Sequence, residues 1–316
     1  MLLPLLAQLA GAQGGALTRD QVIAAGLDAD DLATLRRQGA LHVVRRGTYA
    51  VDDSLRATAA AHALHLPGDV VVSHEWAAAV HGWTLLEPPA EPPTLTRPRL
   101  VGAPPDTWPG LSIAGLPDDQ RTILDGLPIT TPPRTLVDCA RTLPDEAAVV
   151  VADSALRAGV PRAAAQAVAG SCVRWPGIRQ ARAVLTFADA RADSALESRS
   201  RWRLHTQGLP PPDLQVTICD EHGRDAGEVD FVWLAHRTVL ETDGRVKYTS
   251  ERVLWAEKLR EDALRALGLV VVRSYWSDSA QELAAKVRRG FAAAEHLPAA
   301  SYGYRFTGTR IAQRAQ

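Results

Sequence analysis

Residues 228–247 read EVDFVWLAHRTVLETDGRVK, and this stretch decides the fold of the C-terminal part of the chain. Its two runs rich in β-branched and aromatic residues, EVDFVWL and RTVLETD, predict two consecutive strands. Asp230 lies in the first strand, while Glu241 and Asp243 end the second, just before Gly244. Because strand side chains alternate with a period of two, Glu241 and Asp243 are predicted to point to the same face.

The segments on either side extend these strands into an α/β domain. A helix is predicted from the Ser194 cap to Gly208, and LQVTIC with the turn DEHGR adds a strand that forms a hairpin with EVDFVWL. Further along, SERVLWAEKLREDALRALG predicts an amphipathic helix, LVVVRSYW a buried strand and DSAQELAAKVRRGF a final helix. The predicted fold class is therefore α/β, with a C-terminal αβββαβ core within residues 191–298 and a tail over 299–316.

Three carboxylates of this core are expected to meet at one point, with Glu197 on the helix and Asp230 and Glu241 on adjacent strands. Like charges at close range repel, and their pKa values rise unless a cation neutralises them. Oxygen ligands suit a hard cation such as Mg²⁺ or Mn²⁺, which would activate a water molecule and stabilise charge on a phosphate. The carboxylates thus predict phosphodiester hydrolysis.

In the alternative interpretation the same carboxylates are solvated charges at an exposed strand end. If they point to different sides of the sheet, or are buried in arginine pairs, hydrolysis is not supported. A protein that only binds DNA would then be the better interpretation.

The first 52 residues predict a compact helical unit followed by a small hairpin. Thr18 caps the helix RDQVIAAG, and Asp28 begins the helix DADDLATLRRQG, whose acidic start and basic end complement the helix dipole. The segment LHVVRRGTYAV then predicts two short strands around Gly47. Three short helices and a two-stranded wing are typical of a winged helix-turn-helix.

A winged helix-turn-helix binds DNA by placing one helix in the major groove while wing cations meet phosphate. In the alternative interpretations the arginines of this unit are solvated charges, or the unit is a platform for another protein. The candidate phosphate contacts are Arg36, Arg37, Arg45 and Arg46.

Residues 53–190 predict a mostly helical middle region. Ser73 is expected to cap the helix HEWAAAVHG, and the proline-dense stretch 88–109 predicts extended strand, turn and linker material. The segments TPPRTLVDCARTL, DEAAVVVADSALRAG and GIRQARAVLTFAD predict three further helices.

Two polar pairs in the middle region are predicted to have structural roles. His74 and His81 lie seven residues apart and would share a helical face, but without a third ligand they are expected to flank the core or lie on the surface. Asp138 and Arg141, spaced i and i+3, predict an ordinary salt bridge on a helix surface.

The composition is that of a folded, multidomain protein. At 316 residues the chain is too long for one ordinary core, and 46% hydrophobic with 22% charged residues excludes global disorder. A net charge of -1 leaves the partner open, because a basic face can lie on a balanced surface. The spacing of Cys139, Cys172 and Cys219 fits neither a zinc site nor a disulfide framework and predicts buried free thiols.

No apolar run approaches the roughly 20 residues that cross a bilayer. The N-terminal MLLPLLAQLAG also lacks the basic start of a secretory signal. The protein is therefore expected to stay in the cytoplasm, with no membrane partner.

Short sequence phrases carry two family resemblances, which together cover nearly the whole chain. Through VDFVW, LETDGR and EKLREDALRALGLVVVRSYW, the C-terminal part resembles the PD-(D/E)xK, or restriction-endonuclease-like, superfamily, and more narrowly the bacterial domains grouped with very-short-patch-repair endonucleases. Through RRGTYAV, the N-terminal unit is similar to the winged-helix domain of AbiEi-family antitoxins. The phrases SHEWAAAVHGW and GLPITTPPRTLVDCART are similar to the region that comes after that domain in such proteins.

The nuclease resemblance implies roles for individual residues. Glu197 would be the helix carboxylate, Asp230 the main metal ligand and Glu241 the acid that begins the third motif, with Thr242 supplying a backbone carbonyl. The metal implied is Mg²⁺, or Mn²⁺ in its place. In this assignment the catalytic group comprises Glu197, Asp230, Glu241, Asp243 and Lys247.

Asp243 departs from the superfamily pattern, because it stands where the superfamily has a lysine. An aspartate cannot supply the positive charge that positions water or stabilises developing negative charge. Lys247 or Lys258 is the candidate substitute, since the long stem of lysine reaches neighbouring positions. The resemblance also implies a DNA track that comprises Arg199, Arg201, Arg203, Arg245, Lys258, Arg260 and Arg265.

Together these observations predict a metal-dependent DNA endonuclease that an N-terminal winged helix recruits to DNA. The rival prediction is a non-catalytic, DNA-binding regulator of the antitoxin type. DNA is the predicted partner in both cases, and a protein partner, either a toxin or a restriction component, is left open. The predicted domains are 1–52, 53–190 and 191–298, followed by the tail.

Overall fold

The computed structural model describes residues 4–98, 109–243, 251–298 and 303–306. The chain divides into two compact units, Met1–Ala188 (the first unit) and Asp189–Gln316 (the second unit). The fold is mixed α/β, and the described residues contain three sheets. The predicted N-terminal unit and the predicted middle region fall together in the first unit.

The N-terminal part of the first unit combines three helices with a three-stranded antiparallel sheet of order β1-β3-β2. Thr18 and Asp28 each form a capping box at the start of a helix, as their positions in the sequence predict. These elements are α1 (Pro4–Ala12), β1 (Ala16–Thr18), α2 (Arg19–Ala24), α3 (Ala29–Arg37), β2 (His42–Arg45) and β3 (Thr48–Ala50).

The N-terminal part packs closely on the next helix, α4 (Leu55–His65). Gly14 has φ +74, and a Cβ at this position would lie 3.1 Å from the Cβ of Ala60. Gly15 has φ +95, and its Cβ would lie 3.0 Å from that of Ala57. Glycine is therefore required at both positions, for its backbone conformation and for the close approach of α4.

The rest of the first unit places a second sheet, of order β6-β5-β4-β8-β7, among its helices. The helices that the sequence predicts are present. Strand β5 lies in the stretch 88–109 that was predicted to contain extended strand, and residues 99–108 of that stretch lie outside the described residues. The other strands of this sheet and helix α8 were not predicted. The strands have only two to four residues each, too few for a clear period-two pattern. The elements are β4 (Val71–Val72), α5 (His74–Val80), β5 (Leu95–Pro98), β6 (Leu111–Ala114), β7 (Arg121–Leu124), β8 (Leu127–Thr130), α6 (Pro132–Thr142), α7 (Asp145–Arg157), α8 (Arg162–Ser171) and α9 (Ile178–Phe187).

Helix α6 contains a buried ion-pair network, which corrects one prediction. Asp138 is fully buried, and its carboxylate accepts hydrogen bonds from Arg134 Nε at 2.8 Å and from Arg141 Nε at 3.0 Å. The prediction of an ordinary surface salt bridge was therefore wrong. Spacing along a helix gives the pairing but not the side of the helix that the core covers.

The two histidines of the α5 region have separate structural partners. His74 is buried, and its Nε2 lies 3.0 Å from Nη2 of Arg141. His81 Nε2 lies 2.9 Å from the carbonyl oxygen of Thr130. Ser73 stands at the N-cap of α5 but makes no capping bond, because its hydroxyl lies 2.9 Å from Nδ1 of His74 instead. All three cysteines are free and buried, as predicted.

The second unit has the predicted order of helix, three strands, helix, strand and helix. Its sheet has the order β12-β11-β10-β9-β13, with β11 and β12 parallel. Strand β13 lies in the predicted tail and pairs with β9, so residues 303–306 belong to the sheet. The elements are α10 (Ala195–Thr206), β9 (Asp213–Cys219), β10 (Asp225–Trp233), β11 (Thr238–Asp243), α11 (Glu251–Ala266), β12 (Val270–Tyr275), α12 (Ala280–Glu295) and β13 (Gly303–Phe306).

The sheet of the second unit carries a core on each face. Phe231 packs in the core that includes Leu204 of α10, whereas Val229 packs in the core that includes Leu264 of α11. Residues two apart on a regular strand point to the same face. Because Val229 and Phe231 point to opposite faces, β10 is irregular at Asp230, the residue between them. Gln215 on the neighbouring strand has φ 53, so the local distortion involves both strands. In the part of the chain that the structure describes, no helix is long and apolar enough to cross a membrane.

Candidate DNA interface and C-terminal carboxylates

Exposed arginines lie at the end of α3 and in the turn of the β2–β3 hairpin. Arg36 and Arg37 are exposed in the last turn of α3, and Arg46 is exposed between β2 and β3. An open groove of about 560 Å³ separates α3 from β2. Its lining residues are Ala33, Arg36, Arg37, Leu41, His42 and Val43.

A second concavity, of about 700 Å³, lies beside the hairpin turn. The backbone N–H of Arg19 donates a hydrogen bond to the carbonyl of Gly47 at 2.8 Å, which ties the start of α2 to this turn. The exposed Arg19 side chain thereby joins the same surface as Arg46. Sequence reasoning missed Arg19, because only the folded chain brings the start of α2 to the hairpin.

Arg45 differs from the other three predicted phosphate contacts. It is half-buried, whereas Arg36, Arg37 and Arg46 are exposed. Burial, and next the positive charge of Arg45, lowers the pKa of His62 on α4 to about 4. Arg45 therefore lies near α4, and Arg46 is the better candidate for a phosphate contact on the hairpin.

The charges of α3 are separated along the helix. Asp28 accepts hydrogen bonds from the backbone N–H groups of Asp30 and Asp31, each at 2.9 Å, so acidic residues occupy the N-terminus. Arg36 and Arg37 occupy the last turn. A polyanion is therefore attracted to the end of α3 and the hairpin rather than to the start of the helix.

In the second unit, Glu197 and Asp230 lie near each other. Glu197 is buried, and its Oε2 accepts hydrogen bonds from the Asp193 N–H at 2.9 Å and from Gln215 Nε2 at 2.8 Å. Burial, and next the negative charge of Asp230, raises the pKa of Glu197 to about 7. Oδ2 of Asp230 accepts hydrogen bonds from the backbone N–H and the hydroxyl of Thr242, both at 2.7 Å.

Glu241 points to the other side of the sheet. The Thr242 side chain faces Asp230, so the preceding residue on the strand faces α11. There Oε1 of Glu241 lies 2.8 Å from Arg260 Nη1, and its Oε2 lies 3.8 Å from Arg273 Nη2. The structure therefore brings together Glu197 and Asp230 but pairs Glu241 with two arginines.

The remaining residues of the predicted catalytic group lie apart from this pair. Asp243 Oδ2 lies 3.4 Å from Arg273 Nη1. Arg245 and Lys247 lie outside the described residues, and Lys258 is exposed. Among the residues described, no group of three or more His, Cys, Asp or Glu side chains is placed to hold a metal ion. The side chains described here thus do not fit a site of three carboxylates.

The predicted DNA track of the second unit is largely engaged in internal contacts. Arg199 donates a hydrogen bond to the carbonyl of Trp276 at 2.9 Å and stacks 5.0 Å from its ring centroid. Arg201 is buried, Arg203 donates to the carbonyl of Asp278, and Arg265 pairs with Glu261. These contacts hold the arginines against their own unit.

Two comparisons place the chain among known proteins. Residues 4–51 match the family described as "Transcriptional regulator, AbiEi antitoxin". Over 264 residues the chain is 30% identical to the uncharacterized protein Rv2248 of Mycobacterium tuberculosis strain H37Rv, across 80% of this chain and 93% of the relative. The uncharacterized protein MT2308 of Mycobacterium tuberculosis strain CDC 1551 matches to the same extent.

The chain is thus a mixed α/β protein of two units, with a domain over residues 4–51 that is similar to antitoxin-type transcriptional regulators. The chain belongs to the same protein family as the two Mycobacterium tuberculosis proteins.

Proposed function

We propose that the protein is a DNA-binding transcriptional regulator of the antitoxin type. The observation that carries this proposal is the exposed basic surface of Arg36, Arg37 and Arg46 within residues 4–51, the segment that matches the AbiEi regulator family. Such a regulator works in the cytoplasm, where DNA is accessible. Its protein partner would be a cognate toxin.

The proposed DNA-binding element is a winged helix-turn-helix made of α2, α3 and the β2–β3 hairpin. In this arrangement α3 lies in the major groove and the hairpin contacts the adjacent backbone. The acidic start of α3 disfavours a deep approach of that end to phosphate. Arg36 and Arg37 would therefore contact the backbone at the end of α3, and Arg46 would contact it from the hairpin.

Replacing Arg36 and Arg37 together by alanine is expected to weaken binding to every duplex sequence by a similar factor. Each lost phosphate contact should reduce the slope of log affinity against log salt by about one. Fluorescence anisotropy with labelled duplexes over a series of salt concentrations measures both quantities. Arg179→Ala, which removes an exposed arginine of α9, serves as the matched control. Unchanged affinity and slope in the double variant would contradict the proposed interface.

Metal-dependent cleavage of DNA by the second unit is a second candidate function. One observation favours it: Glu197 and Asp230 lie close enough for the charge of Asp230 to raise the pKa of Glu197. Close carboxylates attract cations. The arginine pairs of Glu241 favour the regulator instead.

A plasmid-nicking assay with Mg²⁺ or Mn²⁺ separates the two candidates. For a regulator we expect DNA binding without cleavage under either metal, and no difference between the wild type and Asp230→Asn. Nicking by the wild type that Asp230→Asn abolishes, with DNA binding retained, would instead establish the nuclease. The binding measurement shows that each preparation is folded and active as a DNA binder.

A further inference from the structure

Arg273 on β12 lies at the centre of three carboxylates. Its Nη2 lies 2.7 Å from Glu261 Oε2 and 3.8 Å from Glu241 Oε2, and its Nη1 lies 3.4 Å from Asp243 Oδ2. Arg260 adds a second guanidinium, 2.8 Å from the other oxygen of Glu241. We call these five residues the Arg273 cluster.

The backbone fixes the geometry of the Arg273 cluster. Strands β11 and β12 are parallel, and their register pairs Glu241 with Arg273 and Asp243 with Tyr275. Paired residues on neighbouring strands share a face, so Arg273 lies alongside Glu241. Helix α11 covers this face and contributes Arg260 and Glu261. The pairing of β11 with β12 and the packing of α11 on the sheet thus bring the five charged side chains of the cluster together.

The Arg273 cluster is buried at Glu241 and partly exposed at its other members, with the side chain of Asp243 24% and that of Arg260 30% exposed. The side chain of Glu241 is only 7% exposed, that of Glu261 17% and that of Arg273 23%. Carboxylates gathered in such a place repel one another strongly unless a positive charge lies between them. A guanidinium stays charged at every relevant pH and presents five donors in one plane, which suits several carboxylates at once.

We propose that Arg273 is the resident cation of this cluster and takes the place that a divalent ion would need beside Glu241 and Asp243. Both oxygens of Glu241 face guanidinium groups. A Mg²⁺ ion would have to approach a carboxylate oxygen to about 2.1 Å, against the repulsion of those charges. The carboxylates at the end of β11 therefore need no metal ion to balance their charge. This inference does not rest on the proposed regulatory function.

The first test is a calorimetric titration of the full chain with Mn²⁺. The wild type is expected to show no saturable binding that depends on Glu241, so Glu241→Gln should leave the titration unchanged. The melting temperature of the wild type should also be the same with EDTA and with excess Mg²⁺. Mn²⁺ binding by the wild type that Glu241→Gln abolishes would overturn the proposal.

The second test is a double-mutant cycle between Arg273 and Glu241, followed by thermal unfolding. Arg273→Gln should lower the melting temperature by several degrees, because it leaves three carboxylates facing one another. Glu241→Gln should lower it in the wild-type background but raise it in the Arg273→Gln background, since it then removes one of the repelling charges. Effects that simply add would contradict a role for Arg273 as the neutralising cation. Arg289→Gln on α12, an exposed arginine, is the matched control.

Discussion

Replacing Asp138 by alanine is expected to destabilise the first unit by about 3 to 5 kcal/mol, the cost of breaking a buried ion pair by removing one partner. Asp138 is fully buried, and Arg134 and Arg141 both donate to its carboxylate. Without it, the guanidinium of Arg134, which is 1% exposed, would lose its negative partner. An uncompensated charge at that depth is among the few causes of so large an effect.

The neighbouring hydrogen-bond partners of the two arginines are neutral groups. Arg134 Nη1 donates to the carbonyl of Gly115 at 3.0 Å and to the side chain of Gln120 at 2.8 Å. Arg141 Nη2 lies 3.0 Å from Nε2 of His74, whose pKa burial lowers, so the neutral ring can accept this hydrogen bond. Both guanidinium groups therefore depend chiefly on Asp138 for charge balance.

Urea unfolding followed by tryptophan fluorescence measures this effect. Trp175 is a local reporter, because the guanidinium carbons of Arg134 and Arg141 lie 4.8 Å and 5.1 Å from its ring centroid. Asp118→Ala is the matched control, since Asp118 pairs with Arg121 at the i,i+3 spacing on the surface and should leave the midpoint nearly unchanged. Equal midpoints for both variants would show that the network contributes little to stability.

Replacing Glu197 by glutamine is expected to flatten the dependence of stability on pH and to stabilise the protein above neutral pH. The folded state raises the pKa of Glu197 from 4.5 to about 7, chiefly through burial. The folded chain therefore holds this proton more tightly than the unfolded chain does. The resulting stabilisation is complete below the unfolded pKa and is lost as pH rises through the folded pKa.

The size of this effect is set by the two pKa values. A rise from 4.5 to about 7 corresponds to about 3 kcal/mol of stability that is present in acid and lost by pH 8. Glutamine resembles the protonated acid in shape and is neutral at every pH. Its amide oxygen can keep the hydrogen bonds from Asp193 and Gln215.

Unfolding free energies measured between pH 5 and pH 8 check the prediction for Glu197. The wild type should lose stability over this interval relative to Glu197→Gln, and the difference should be largest at the alkaline end. Glu228→Gln, at an exposed position on β10, should behave like the wild type. Parallel curves for the wild type and Glu197→Gln would mean that Glu197 is ionised throughout.

Local sequence signals predicted much of the fold. Thr18, Asp28 and Ser194 cap helices through their side chains, as their positions indicated. Gly208 and Gly268 come just after helix ends and lie in the left-handed region. Cap and stop signals depend on a few neighbouring residues, so a single sequence carries them. The order of helices and strands in the second unit could be predicted from such signals.

Helix caps and stop signals do not predict features that depend on contacts between residues far apart in the sequence. The irregularity at Asp230 of β10 and Gln215 of β9 arises where these two strands pair, and it separates Asp230 from Glu241. The buried network of α6 did leave a sequence signal: Arg134 precedes Asp138 by four residues in a helix with buried apolar neighbours. That spacing indicates the ion pair, but its burial depends on the elements that pack around α6, which the sequence of the helix does not give.

The close contact of Gly14 and Gly15 with α4 determines where the chain can be cut. A fragment that ends at residue 51 would keep the matched regulator segment but lose Ala57 and Ala60, which cover these glycines. Its newly exposed apolar surface would favour aggregation during expression. A fragment that ends at residue 188 retains α4 and the whole of the first unit, and it is the shorter piece suited to crystallisation with DNA.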